Sequence, residues 1–86
     1  MDIGVEISLY PFTSGYSTVI HGLVERLGRD GRFRVETSSM STQIFGPYEE
    51  VMALLQAQIK ATFEELGVQE HRAAFVLKVL GPLKNP

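Results

Sequence analysis

Cysteine and tryptophan are both absent from this 86-residue sequence. Without cysteine the chain has no disulfide, no thiolate nucleophile and no cysteine-ligated zinc or iron–sulfur site. Long apolar runs are also lacking, since none approaches the roughly 20 residues that a membrane-spanning helix needs. The first residues contain no basic segment followed by an apolar one, which is the pattern of a secretory signal. We therefore expect a cytoplasmic protein with no membrane partner.

An excess of positive charge is missing as well. Eight Lys and Arg residues stand against ten Asp and Glu residues, which gives a formal net charge of −2. Nucleic-acid binding needs clustered basic side chains to neutralise phosphates. Four arginines do lie between positions 26 and 34, but acidic residues are interleaved with them, as on a solvated surface. We therefore expect no nucleic-acid partner.

Motifs of catalysis and metal binding are absent too. The two histidines, His21 and His71, are not at a spacing that pairs metal ligands on one element. The glycines form neither a phosphate-binding loop nor a dinucleotide-binding turn, and no G-x-S-x-G sequence activates a serine. We therefore expect a protein that is not an enzyme, with no catalytic residues, no metal site and no cofactor.

What the sequence does contain is a clear alternation of strand and helix patterns. Ile3, Val5, Ile7 and Leu9 alternate with other residues and predict a strand that ends at Pro11. Apolar residues at helical spacing predict a first helix, capped by Thr13 or Ser14. The remaining predicted elements are strands at about 32–38 and 41–45, a helix at about 47–66 and a strand at 73–80.

This order, βαββαβ, predicts an α+β protein of the ferredoxin-like type. Two interleaved, right-handed βαβ units give a four-stranded antiparallel sheet with two helices on one face. At 86 residues the chain has room for one hydrophobic core, so residues 1–86 form a single domain. In the last strand Phe75, Leu77 and Val79 are expected to face the core, because they alternate with the rest of that strand.

The opposite face of the predicted sheet carries more apolar residues than a monomer needs. Phe45, Val76 and Leu80 fall there, and Lys78 alone interrupts the second apolar row of the last strand. A strand that is apolar on both faces is usually covered on both. We expect a homo-oligomer, a dimer or tetramer formed through the sheet. The alternative is that the last strand is simply hydrophobic and partly exposed.

The segment Ser38–Met52, S-S-M-S-T-Q-I-F-G-P-Y-E-E-V-M, combines a polar strand, a turn and a helix start. Ser41, Gln43 and Phe45 point to one face of the strand, and the residues between them point to the other. Gly46 gives the turn its freedom, and Pro47 suits the first position of a helix. Together with I-S-L-Y-P at positions 7–11, this segment resembles the YkoF-like thiamin-binding domain family.

That resemblance extends over about residues 3–80 and implies a function. It implies a non-catalytic protein that binds thiamin or its hydroxymethylpyrimidine moiety, as a carrier or in vitamin B1 salvage or transport. It also implies a βαββαβ domain and assembly of single-domain members through their sheets. The positions that match the family motifs are Tyr10, Ser41 and Thr42.

A heteroaromatic ligand requires an aromatic or thioether surface and polar groups at its edge. Tyr10, Phe12, Met40 and Phe45 are candidates for the surface; serines 8, 38, 39 and 41 with Thr42 and Gln43 are candidates for the edge. The expected ligand-binding residues are Ser8, Tyr10, Phe12, Ser39, Met40, Ser41, Thr42 and Gln43. The bland alternatives are strand termination at Tyr10 and a polar hairpin at 38–42.

Two other functions remain open at this point. One is an ACT-like regulatory module that senses another small metabolite, such as an amino acid, at a subunit interface. The other is a structural or partner-binding protein that uses the open face of its sheet.

Overall fold

A computed structural model describes residues 1–84 and contains four strands and two helices in the predicted order βαββαβ. The elements are β1 (Asp2–Pro11), α1 (Tyr16–Arg29), β2 (Arg34–Thr37), β3 (Thr42–Pro47), α2 (Tyr48–Gly67) and β4 (Ala73–Leu83). The strands form one sheet in the order β2-β3-β1-β4, and every neighbouring pair is antiparallel. The ferredoxin-like prediction is therefore confirmed.

The core lies between the central strand β1 and the two helices. Ile3, Val5, Ile7 and Leu9 of β1 are each less than a tenth exposed, as their alternation predicts. They pack in one cluster with residues of both helices and of β3, which places the two helices on the same face of the sheet. Each such aliphatic side chain stabilises the fold by about 1.5–3 kcal/mol on burial.

The ends of several elements differ from the predictions. α1 begins at Tyr16 with Gly15 as its N-cap and no side-chain capping bond, so the predicted Thr13 or Ser14 cap is wrong. The Thr13 hydroxyl oxygen accepts a hydrogen bond from the Gly15 amide instead, at 3.4 Å. Pro47 precedes α2 as its N-cap rather than occupying the first helical position. The shift at Pro47 arises because β3 continues to that residue and carries the extended backbone two residues further than expected.

The two helices are joined by a polar contact inside the helix layer. Thr62 is fully buried on α2; its hydroxyl donates to the Gln58 carbonyl at 2.8 Å and accepts from Arg26 Nη2 at 3.0 Å. Arg26 Nε also donates to Gln58 Oε1 at 2.7 Å. Since buried polar atoms must be paired, Arg26 of α1 satisfies Thr62 and links α1 to α2.

The last strand, β4, is exposed on both faces. This corrects the prediction that Leu77 and Val79 belong to the core. Leu77 and Val79 do lie on the helix side, but they are 36% and 50% exposed. The reason is that β4 is an edge strand, beyond the part of the sheet that the helices cover. Phe75 is better covered: it packs against the core, and its ring meets the Phe63 ring edge-on at 5.5 Å between centroids. On the open face Val76 and Leu80 are 57% and 63% exposed.

Candidate functional site

A cleft of about 500 Å³ opens at the end of the sheet where β1 stops and β2 turns into β3. Its inner wall is aliphatic and lies between the sheet and α1; the wall residues are Ile7, Leu9, Ile20, Leu23 and Val24. Its opening is surrounded by four large side chains that are each more than half exposed, namely Tyr10, Phe12, Tyr16 and Met40. We refer to these four residues as the rim.

The end of β1 is held in place by the neighbouring edge strand. Pro11 is the last residue of β1, and the Phe12 amide donates to the Arg72 carbonyl at 2.8 Å, just before β4 begins. The chain then turns through residues 13–15 and enters α1 at Tyr16. This short return brings Tyr10, Phe12 and Tyr16 to one opening, although they come from a strand, a loop and a helix.

The connection between β2 and β3 forms the other side of the cleft, and Ser38 organises it. The Ser38 amide donates to the Ser41 carbonyl at 2.9 Å. The Ser38 hydroxyl oxygen accepts hydrogen bonds from the amides of Met40 and Ser41, at 3.1 and 3.3 Å. Ser38 therefore has a structural task within the turn, and Ser39 and Met40 are left exposed at its tip.

Ser41 and Thr42 lie on opposite faces of the sheet, as alternation requires, yet both line the cleft. The Ser41 hydroxyl donates to Glu6 Oε2 at 3.1 Å on the open face, and Glu6 in turn lies 3.8 Å from Lys78 Nζ. Thr42 is only 4% exposed on the helix side, with its hydroxyl 3.3 Å from that of Thr37. Each hydroxyl is thus oriented by one protein partner and keeps lone pairs for another donor.

The structure brings most of the predicted ligand-binding residues together around this cleft: Ser8, Tyr10, Phe12, Ser39, Met40, Ser41 and Thr42. Gln43 is not among them. It lies beside Glu6 on the open face and lines a smaller cavity of about 200 Å³ together with Phe45 and Lys78. Phe45 also lies outside the cleft. It is three residues beyond Thr42 along β3, and it covers Gly4 near the other end of the sheet.

The sequence analysis missed the contribution of α1. Tyr16, Ile20 and Val24 recur every fourth residue, and Leu23 lies beside them, so one stripe of the helix faces the cleft. The signal was present in the sequence, but an apolar helical stripe is ordinarily assigned to the core. Here the stripe runs from Leu23, which is buried in the core, to Tyr16 at the rim, which is 57% exposed.

Charge is absent from the cleft among the described residues that line it. The nearest carboxylate in contact with a lining residue is that of Glu6, through Ser41. The hydrogen bond from Arg32 holds the pKa of the Asp30 carboxyl below its usual value, but this pair lies between α1 and β2, outside the cleft. Within residues 1–84 no group of three side chains could hold a metal ion. No helix in that same range is long and apolar enough to cross a membrane.

Comparison with solved structures identifies proteins that share this fold. A Thermotoga maritima protein provisionally assigned to thiamine biosynthesis/salvage has a TM-score of 0.77 and 17% identity, over 92% of this chain and 82% of that one. A Streptococcus pneumoniae protein has a TM-score of 0.82 and 15% identity, over 96% and 89%. The Bacillus cereus domain of unknown function DUF77 has a TM-score of 0.74 and 14% identity, over 95% and 77%. No protein-family model and no curated protein matches the sequence.

Proposed function

We propose that this chain is a non-catalytic, YkoF-like binding protein for thiamin or its hydroxymethylpyrimidine moiety, acting as a carrier or in vitamin B1 salvage or transport. The observation that carries the proposal is the cleft itself. It combines an aliphatic inner wall, a rim of aromatic and thioether groups, and several hydroxyls at one end of the sheet. Two stretches that motivate the resemblance, residues 7–11 and 38–42, meet at this cleft.

The chemistry of the pyrimidine fits these surroundings. The ring is flat and uncharged near neutral pH, so it gains contact area against Ile7, Leu9 and Ile20 without requiring a counter-charge. Its ring nitrogens accept hydrogen bonds and its amino group donates them. The hydroxyls of Thr37 and Thr42, which lie on the same face of the sheet as Ile7, and of Ser39 in the adjacent turn supply partners of both kinds. A volume of about 500 Å³ lies within the usual range for small-molecule sites.

One of the fold neighbours is compatible with the same class of ligand. The Thermotoga maritima protein is itself provisionally assigned to thiamine biosynthesis/salvage, and it aligns with nearly the whole of this chain. At 17% identity the likeness establishes the fold, so the ligand is argued from the cleft.

We further propose that the protein acts as a homo-oligomer, with a second copy of the chain covering the open face and the edge strand β4. The open face carries charges of both signs: Glu6 and Glu36 with Arg34 and Lys78. A surface that carries charges of both signs beside an apolar row suits contact with its own copy across a two-fold axis. Val76 and Leu80 of the edge strand β4 form that row.

Calorimetric titration of the purified protein tests the ligand. We expect saturable binding of thiamin, of hydroxymethylpyrimidine, or of both, with a dissociation constant of roughly 10 μM or tighter. The 20 amino acids, titrated in parallel, test the ACT-like alternative. Binding of an amino acid with no response to thiamin or the pyrimidine at millimolar concentration would contradict the proposal and favour a metabolite sensor.

A further inference from the structure

We propose that the rim of Tyr10, Phe12, Tyr16 and Met40 binds a permanently cationic heteroaromatic ring, so that the cleft selects the thiamin cation over a neutral isostere and over its phosphate ester. This inference rests on the proposed function, because it assumes that the pyrimidine occupies the inner wall. It goes further by assigning the second ring of the ligand to named residues and by giving the site a charge preference.

The first observation is the exposure of the rim. Tyr10, Phe12 and Tyr16 are 53%, 63% and 57% exposed, and Met40 is 84% exposed. Three aromatic rings and a thioether thus surround one opening with much of their surface uncovered. Aromatic faces carry partial negative charge and attract cations that approach within about 6 Å of the ring centre. Thioether sulfur is polarisable and adapts to irregular contacts.

The second observation is the charge around the opening. Among the described residues no Lys, Arg or His side chain lines the cleft, so a ligand cation meets no repulsion there. The carboxylate nearest in contact is that of Glu6, which accepts from Ser41. A phosphate held within the cleft, by contrast, would find no basic side chain among these lining residues. The positive end of the α1 dipole at Tyr16 does favour an anion.

The third observation is the depth of the cleft along α1. Tyr16, Ile20 and Val24 line it at steps of four residues, each step being about 6 Å along a helix axis. Tyr16 lies at the rim, and Val24 lies at the inner wall beside Leu23, which is only 3% exposed. A ligand made of a neutral ring joined to a cationic ring matches this gradient from apolar wall to aromatic rim. Thiamin has that construction, with its pyrimidine joined through one methylene to a thiazolium.

The test compares four ligands by calorimetry on the full chain. They are thiamin, the hydroxymethylpyrimidine fragment, thiamin monophosphate, and the neutral thiophene analogue in which carbon replaces the quaternary nitrogen. We expect thiamin to bind about tenfold more tightly than the thiophene analogue, and more tightly than the monophosphate. The analogue has the same shape, so the difference reports the charge alone.

Phe12→Leu provides the matched change in the protein, since it keeps an apolar side chain and removes the ring face. We expect it to weaken thiamin binding by about five- to tenfold and to leave the affinity for the pyrimidine fragment within twofold. Tyr16→Leu should act in the same way. The control is Phe63→Leu, which changes an aromatic residue of α2 that is 46% exposed and lies outside the cleft. Melting curves by circular dichroism confirm that each variant folds.

The outcomes separate this inference from the proposed function. Equal affinities for thiamin and its thiophene analogue, or tighter binding of the monophosphate, would overturn the charge preference and leave the ligand assignment standing. A Phe12→Leu variant that loses affinity equally for thiamin and for the pyrimidine fragment would overturn the assignment of the second ring to the rim. If neither thiamin nor the pyrimidine binds, the proposed function fails and this inference fails with it.

Discussion

At the scale of single residues, the cleft depends on hydroxyls that are already oriented by the protein. Ser41 donates to Glu6, and Thr42 lies against Thr37. Sequence alternation correctly placed Ser41 and Thr42 on opposite faces, and the residues flanking Pro11 were correctly expected near them. Which side chains reach the cleft depends on the four-residue connection from β1 to α1. Such a connection has no periodic signal, and for this reason the sequence analysis did not include Tyr16 and did not separate Gln43, which lies outside the cleft.

The first prediction concerns these hydroxyls. Thr37→Ala and Thr42→Ala should each weaken binding of the pyrimidine by roughly tenfold, because a polar atom of the bound ligand loses its partner, at a cost of about 1–3 kcal/mol. Calorimetry on each variant measures this. Gln43→Ala is the matched control, since Gln43 lies outside the cleft and should leave the affinity unchanged. Unaltered affinity in both threonine variants, with a loss in Gln43→Ala, would move the site to the open face.

A second prediction concerns the polar link between the helices. Arg26→Met should lower the free energy of unfolding by about 1–2 kcal/mol, because the hydrogen bonds to Gln58 and Thr62 are lost. Urea denaturation gives the value. Arg29→Met is the control: Arg29 pairs with Glu25 at an exposed surface, so its removal should change stability by no more than about 0.5 kcal/mol. Equal effects of the two substitutions would show that Arg26 has no special role.

At the scale of secondary structure elements, hydrophobic period predicted the type and order of every strand and helix. The predicted element boundaries were less accurate where a turn residue interrupts the hydrophobic periodicity, as at Pro47 and at the start of α1. The exposure of β4 could not be deduced from its own sequence, because an apolar row of an edge strand looks like that of a central strand. Leu77 and Val79 are exposed because β4 lies at the edge of the sheet, where the helices do not cover it.

The third prediction compares two glycines in different elements. Gly46→Ala should destabilise the fold by about 1–3 kcal/mol, because its Cβ would come within 2.7 Å of the buried Phe33 ring and 3.2 Å of Val51. Gly28→Ala should instead raise stability by about 0.4–1 kcal/mol, since Gly28 lies in α1 with no atom within 4 Å of the new methyl group. Thermal melts measured side by side should move in opposite directions. A melting temperature that does not fall in Gly46→Ala would mean that β3 and α2 pack more loosely than described.

At the scale of the whole molecule, a small domain exposes apolar surface on the open face of its sheet and along β4. A chain of this length buries only about 60–65% of its unfolded surface, so covering Val76 and Leu80 by a second copy would add to its stability. The sequence indicated this from the two apolar rows of the last strand. The sequence could not indicate that the helix side of β4 is also largely exposed.

The fourth prediction tests that assembly. We expect light scattering after size exclusion at micromolar protein concentration to give the mass of a dimer or tetramer. Val76→Asp should shift the protein towards monomer, because the contact would have to desolvate an unpaired charge. Val68→Asp introduces the same charge at a residue that is 85% exposed in the loop after α2, and it should leave the mass unchanged. A wild-type protein that is monomeric at that concentration contradicts the proposal.

The central claim is that the cleft binds thiamin or its pyrimidine, and the most direct test is an NMR titration of ¹⁵N-labelled protein with each ligand. We expect saturable shifts of the amide signals of residues 8–12, 16–24 and 37–42, which surround the cleft. The signals of Gln43, Phe45 and residues 78–80 should move little, because they lie on or near the open face. Shifts confined to that face, or no shift at millimolar concentrations of either ligand, would contradict the account.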